Sequence, residues 1–105
     1  MQHQLTLFDS LTMVDDMDRA VKSAMNRVLR ESKRSRDEVL DRMNEIAAAS
    51  GVRLNRNAKI LSLDVFEKWL NPADIEHKPG IQAIHIFMAA SGSLLPLQVM
   101  AMAHG

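Results

Sequence analysis

The fold of this chain is decided at residues 28–39, which read VLRESKRSRDEV. An apolar stripe with i, i+3, i+4 and i+7 spacing runs into this stretch, which is typical of an amphipathic helix. The stripe ends in a basic cluster, and Ser35 and Glu38 then form the capping pattern Ser-x-x-Glu. The stretch therefore predicts one helix from about Asp16 to about Ser32 and a second helix that begins after Ser35.

Stop and start signals divide the rest of the chain into three more helices. Gly51 can take the left-handed conformation that ends the second helix. Ser62 can cap a short third helix, which Pro72 prevents from continuing. Apolar runs that begin at Ile81 and after Ser93 predict a fourth and a fifth helix. Five short helices with short connections indicate an all-α domain built as an orthogonal five-helix bundle.

Length and composition suit one small domain. The chain has 105 residues, and we expect an N-terminal arm at residues 1–14 and a domain at residues 15–105. Aromatic residues make up only 4%, so aliphatic side chains and eight Met must fill the core. The lack of cysteine excludes disulfides and favours a cytoplasmic location. We expect no signal peptide and no membrane span, and the last helix has no stop signal, as in a fragment of a longer protein.

The net charge of zero hides a strong segregation of charge along the chain. Residues 19–36 contain seven basic residues and one acidic residue, and residues 52–61 contain three basic residues and no acid. Such blocks attract phosphates when folding brings them together, although charge runs are more often solvated faces. The neutral total excludes a highly basic nucleic-acid tail and leaves a localised basic face open.

Residues 28–39 resemble the junction between the first and second helices of lambda-repressor-like helix-turn-helix proteins. There a basic helix end and a Ser cap precede a helix that crosses the DNA backbone. Residues 62–70 resemble the recognition helix of that family through the pattern Ser-x-x-x-Phe-x-x-Trp. More narrowly, residues 16–105 are similar to small regulators of Mu-like transposable phages and prophages.

This resemblance implies a sequence-specific DNA-binding regulator of transcription in a Mu-like phage or prophage. The start of the second helix would lie near phosphate, and the third helix would enter the major groove of double-stranded DNA. Such proteins usually act as homodimers, and the apolar segment at residues 94–103 could supply the interface. The residues expected to contact DNA are Lys33, Arg34, Ser35, Arg36, Arg53, Arg56, Asn57, Lys59, Ser62, Asp64 and Lys68.

The N-terminal residues 4–8, QLTLF, stand outside the helical pattern. They resemble the peptide by which bacterial proteins bind the replicative sliding clamp. In that interpretation Gln4 supplies hydrogen bonds, and Leu5, Leu7 and Phe8 are apolar anchors. The alternative is that these apolar residues pack onto the domain or form a dimer contact.

The sequence shows no pattern that indicates catalysis. Its four His lack zinc-ligand spacing, and no glycine-rich phosphate-binding motif occurs. We therefore expect no enzymatic activity, no metal and no cofactor. The competing hypothesis to DNA binding is a protein-interaction module derived from the same fold, recruited to the sliding clamp through residues 4–8.

Overall fold

A computed structural model of the protein describes the backbone of residues 7–55, 58 and 60–104, and the side chains of residues 16–55, 58 and 60–102. This part of the chain forms five helices and no β-strand, which confirms the all-α class and the number of helices. The helices are α1 Leu7–Glu31, α2 Arg36–Ser50, α3 Leu63–Leu70, α4 Ile81–Ser91 and α5 Leu95–His104.

Helix α1 begins at Leu7, so the predicted start near Asp16 is wrong. No Gly or Pro interrupts the chain before Gly51, and acidic residues near a helix start interact favourably with the helix dipole. Asp16, at the predicted start, therefore lies inside a helix of 25 residues, about 37 Å long. This helix crosses the expected boundary between the arm at residues 1–14 and the domain.

The predicted caps of α2 and α3 are confirmed. Ser35 Oγ accepts a hydrogen bond from the Glu38 N–H (3.2 Å), and Ser62 Oγ accepts one from the Val65 N–H (3.3 Å). Gly51 ends α2 with a φ of 69°, a conformation that residues with a side chain adopt at a cost. These local signals fix where α2 begins and ends and where α3 begins.

The helices pack as two pairs, which are joined by α3 and by contacts between α4 and α5. Helix α1 packs against α5, α2 packs against α4, and α3 contacts both α1 and α2. The core includes Met25, Met43, Phe66 and Phe87, all completely buried. The Phe66 and Phe87 rings lie 6.3 Å apart, within the range of favourable aromatic pairs. The two buried Met confirm the expectation that Met fills core space in a chain with few aromatics.

Candidate nucleic-acid interface

The connector between α2 and α3 is fixed where it reaches α3. Asn44 on α2 accepts a hydrogen bond from the Leu61 N–H on its Oδ1 (2.9 Å) and donates from its Nδ2 to the Leu61 carbonyl (3.1 Å). Leu61 is almost fully buried. These two bonds set the direction in which the chain enters α3. The sequence around Asn44 does not indicate them, because Leu61 is 17 residues further along.

Arg36, the first residue of α2, joins three helices. Its Nη1 lies 2.8 Å from Oε2 of Glu67 on α3, and its Nη2 donates to Oδ1 of Asn26 on α1 (2.7 Å). The side chain is partly exposed, in a shallow cleft that also contains Asp64 and Lys68. The Arg36 guanidinium therefore lies beside α3, and an acid of α3 pairs with it.

Arg53 lies beside a different side of α3. It shares a groove with Val65 and Trp69, and Trp69 is about 200° from Glu67 around the helix axis. Arg53 is exposed and pairs with no acid within the described residues. The two arginines thus flank α3 from different directions.

The outer edge of α3 combines exposed polar and apolar side chains. Ser62, Leu63, Asp64 and Glu67 are exposed. The Ser62 hydroxyl caps the helix, and Lys68 Nζ lies 3.3 Å from Asp64 Oδ2. This edge is available to a partner, and both of its acids form ion pairs within the chain.

The cluster at residues 33–35 is divided among three roles. Arg34 Nη1 donates to the carbonyl of Ala90 at the end of α4 (2.8 Å), where a cation suits the helix dipole. Ser35 caps α2, and Lys33 is exposed without an acid partner among the described residues. Among the described residues, Lys33 is the cation of this cluster that has neither a hydrogen bond nor an acid partner, and Arg34 connects the start of α2 to α4.

Lys22 has a structural role that the sequence analysis missed. It is 2% exposed, and its Nζ donates to the carbonyls of Lys68 (3.1 Å), Asn71 (3.3 Å) and Asp74. Burial lowers the pKa of Lys22 below its ordinary value of 10.5, and the charge of Asp74 opposes this shift. A signal was present, because Lys22 lies three residues before the buried Met25 on the apolar face of α1.

The loop between α3 and α4 is ordered by Asp74. Burial favours a higher pKa for its carboxyl, but hydrogen bonds from the His77 N–H, the His77 ring and the Glu76 N–H outweigh burial and lower the pKa. His77 Nδ1 lies 3.0 Å from Asp74 Oδ2. Lys78 Nζ lies 2.8 Å from Asp18 Oδ2 on α1, so ion pairs and Lys22 hold both ends of the loop.

Several expected contact residues lie outside the described part. Arg56, Asn57 and Lys59 of the connector are among them, as are Gln4 and Leu5 of the clamp-like peptide. The remaining two anchors of that peptide, Leu7 and Phe8, belong to the first turn of α1, and only their backbone is described.

No protein-family model, curated protein or solved structure matches the chain. Within the described residues, no three His, Asp or Glu side chains are grouped so that they could hold a metal ion. None of the described helices combines the length and the apolar character needed to cross a membrane.

Proposed function

We propose that the protein is a sequence-specific DNA-binding regulator with a lambda-repressor-like helix-turn-helix, acting on transcription in the cytoplasm as part of a Mu-like phage or prophage. The observation that carries the proposal is that Arg36 and Arg53 flank the exposed edge of α3 on different sides. Two phosphate backbones border the major groove, which is about 12 Å wide and admits one helix. A helix with a cation on each side suits that setting.

The exposed start of α3 supports direct reading of bases. Residues near the start of a recognition helix reach base edges, and here these are Ser62, Leu63 and Asp64. A serine hydroxyl can pair with several bases, a leucine can contact a thymine methyl, and a carboxylate can accept from a cytosine amino group. The ion pair with Lys68 reduces the repulsion between Asp64 and phosphate.

An apolar outer face on α5 supports a homodimer. Leu94, Leu97 and Met102 are exposed on the side of this segment that faces away from the core. A second copy that covered this face would present two α3 helices to two DNA half-sites, as symmetric repressors do.

The salt dependence of binding to random duplex DNA tests the proposal. Each phosphate contact contributes about 0.9 to the slope of log K against log salt concentration. We expect Lys33→Ala, Arg36→Ala and Arg53→Ala each to reduce the steepness of that slope by about this amount. Fluorescence anisotropy of a labelled duplex, measured with the full chain between low and moderate salt, gives the slope.

Arg19→Ala is the matched control. Arg19 belongs to the same basic block (residues 19–36) and is exposed, but it pairs with Asp16 (3.5 Å) in the middle of α1, about three turns before the end of that helix. We expect this variant to keep the slope of the unmodified protein. A folded protein that binds no duplex at low salt would contradict the proposal, and so would equal slopes for Arg19→Ala and Arg53→Ala.

The ion pairs of α3 favour a second candidate function. Asp64 pairs with Lys68 and Glu67 pairs with Arg36, so this edge is closer to neutral than a phosphate-binding edge usually is. A protein-interaction module, recruited to the sliding clamp through residues 4–8, fits such an edge. It predicts capture of purified clamp that the double substitution Leu7→Ala and Phe8→Ala removes, and no binding to duplex DNA.

A further inference from the structure

A groove of about 680 Å³ lies between the connector, the side of α3 that faces Arg53, and the start of α4. It is separate from the cleft that contains Arg36. Apolar side chains form part of the lining and polar side chains form the rest, a combination typical of small-molecule sites. Those that matter here are Leu54, Val65 and Trp69 of the apolar set and Arg53, Glu76 and His77 of the polar set.

The start of α4 contributes unpaired main-chain donors to this groove. The N–H groups of Ile81, Gln82 and Ala83 precede the first intrahelical bond, in which the Ile84 N–H donates to the Gly80 carbonyl (3.0 Å). Gly80 has no side chain to cap them, and no side chain of the described residues accepts from them. All three residues line the groove, where the helix dipole adds a partial positive charge.

Trp69 supplies a second, independent donor without an acceptor. The residue is 5% exposed, and its indole N–H donates to no group within the described residues. Among the described residues, Ser91 Oγ is the one fully buried side-chain polar atom without a hydrogen bond. The Trp69 indole N–H also lacks a partner, so it is not fully buried, and solvent reaches it. Because Trp69 lines this groove, its N–H is available to an acceptor that binds there.

The rim adds a guanidinium and an oriented imidazole. Arg53 is exposed and has no acid partner among the described residues. The contact between His77 Nδ1 and Asp74 (3.0 Å to Oδ2) fixes the ring and leaves Nε2 without a partner in the described part. Glu76 is the one acid among the described lining residues of the groove, and it opposes highly charged anions.

We propose that this groove binds a small carboxylate with an apolar body, such as an aromatic or branched aliphatic acid. The carboxylate would accept from the α4 N–H groups and pair with Arg53, and the apolar body would lie against Leu54 and Val65. A single negative charge matches Arg53, since Lys78, the other cation among the described lining residues, pairs with Asp18 (2.8 Å), and the Glu76 carboxylate disfavours a doubly charged phosphate ester.

Sodium benzoate is the probe, and Trp69 is the reporter because it is the one tryptophan in a chain without tyrosine. Titration of the full chain should change the Trp69 fluorescence and saturate. We expect Arg53→Ala to weaken binding about three- to tenfold. We expect Ile81→Glu, at an exposed position in the first turn of α4, to abolish binding by placing a fixed carboxylate there without unfolding the protein.

Two further variants and a second anion make the result decisive. Glu76→Gln should tighten benzoate binding, and Arg42→Ala, an exposed arginine on α2 outside the groove, should leave it unchanged. Sodium phosphate should bind more weakly than benzoate. No saturable response to benzoate, equal responses of Arg42→Ala and Arg53→Ala, or tighter binding of phosphate would overturn the proposal. Arg53 is shared with the proposed DNA surface, so the titrations contain no DNA and their outcome does not depend on that function.

Discussion

The substitution Lys22→Met removes the ammonium group that holds the end of α3 and keeps most of the apolar side chain. Lys22 Nζ donates to three main-chain carbonyls that belong to the end of α3 and the loop after it. Methionine preserves helix propensity and packing on α1. The change therefore isolates the hydrogen bonds from the packing of the buried side chain.

The three carbonyls do not depend equally on Lys22. The Lys68 carbonyl also accepts from the Asn71 N–H (3.3 Å), and the Asn71 carbonyl also accepts from the Asp74 N–H (3.0 Å). The Asp74 carbonyl has no second donor within the described residues. One carbonyl is thus left unsatisfied, at a cost of about 1–3 kcal/mol, and two lose a charge-assisted bond. Removal of a desolvated ammonium offsets part of this loss, which leaves a destabilisation of about 2–3 kcal/mol.

Urea denaturation followed by Trp69 fluorescence and circular dichroism measures this change, because Trp69 lies on the helix that Lys22 holds. For a domain of this size the expected loss corresponds to a melting temperature lower by roughly 10–20 °C. Lys33→Met is the control, since Lys33 is an exposed lysine with no partner among the described residues, and it should change stability by less than about 0.5 kcal/mol. Equal denaturation midpoints for the two variants would refute the reasoning, because the carbonyls would then be satisfied by water.

Three other predictions follow from single contacts. Asn44→Ala should lower the free energy of unfolding by about 1.5–3 kcal/mol, since two main-chain bonds at the start of α3 are lost, whereas Gln98→Ala on the exposed side of α5 should have little effect in the same urea assay. The lowered pKa of Asp74 stabilises the fold above the ordinary value of 3.8, and this contribution is lost as the pH falls through the folded-state pKa. As the pH falls below 3.8, Asp74→Asn should therefore lose less of its free energy of unfolding than the unmodified protein. Parallel curves of that free energy against pH for the two proteins would contradict the assignment. Glu67→Gln should tighten duplex binding about threefold by freeing Arg36, and unchanged affinity in the anisotropy assay would exclude Arg36 as a phosphate contact.

The helices were predictable wherever a short-range signal sets them. The caps form hydrogen bonds with residues three or four positions away, which start a helix at Ser35 and Ser62 and end one at Gly51. Because these bonds are local, the nearby sequence is enough to predict them. The start of α1 had no such signal. Acidic residues can cap a helix or lie within its first turns, and only the continued absence of Gly and Pro favoured the longer helix.

The candidate site was less predictable, because its side chains act over long sequence separations. Lys22 binds carbonyls 46 to 52 residues away, and Arg34 binds Ala90 at a separation of 56. A charge pattern shows how many cations a segment contains but not which helix ends or acids will engage them. Arg36 and Arg53 lie beside α3 on different sides, and their assignment to DNA stays a prediction.

The partners of the cations in the basic block, residues 19–36, determine how strongly the protein attracts a polyanion. Five of its seven cations bind within the chain, and they are Arg19, Lys22, Arg27, Arg34 and Arg36. Arg30 and Lys33 remain without partners among the described residues. Lys22 and Arg34 bind neutral carbonyls and keep their charge. Asp16 and Glu67, which lie outside the block, pair with Arg19 and Arg36, so the field is weaker than the block's formal charge of +6 suggests. A duplex that binds here must gain its affinity from close, oriented contacts along α3 rather than from a broad basic face. Contacts of that kind favour discrimination among sequences over non-specific binding.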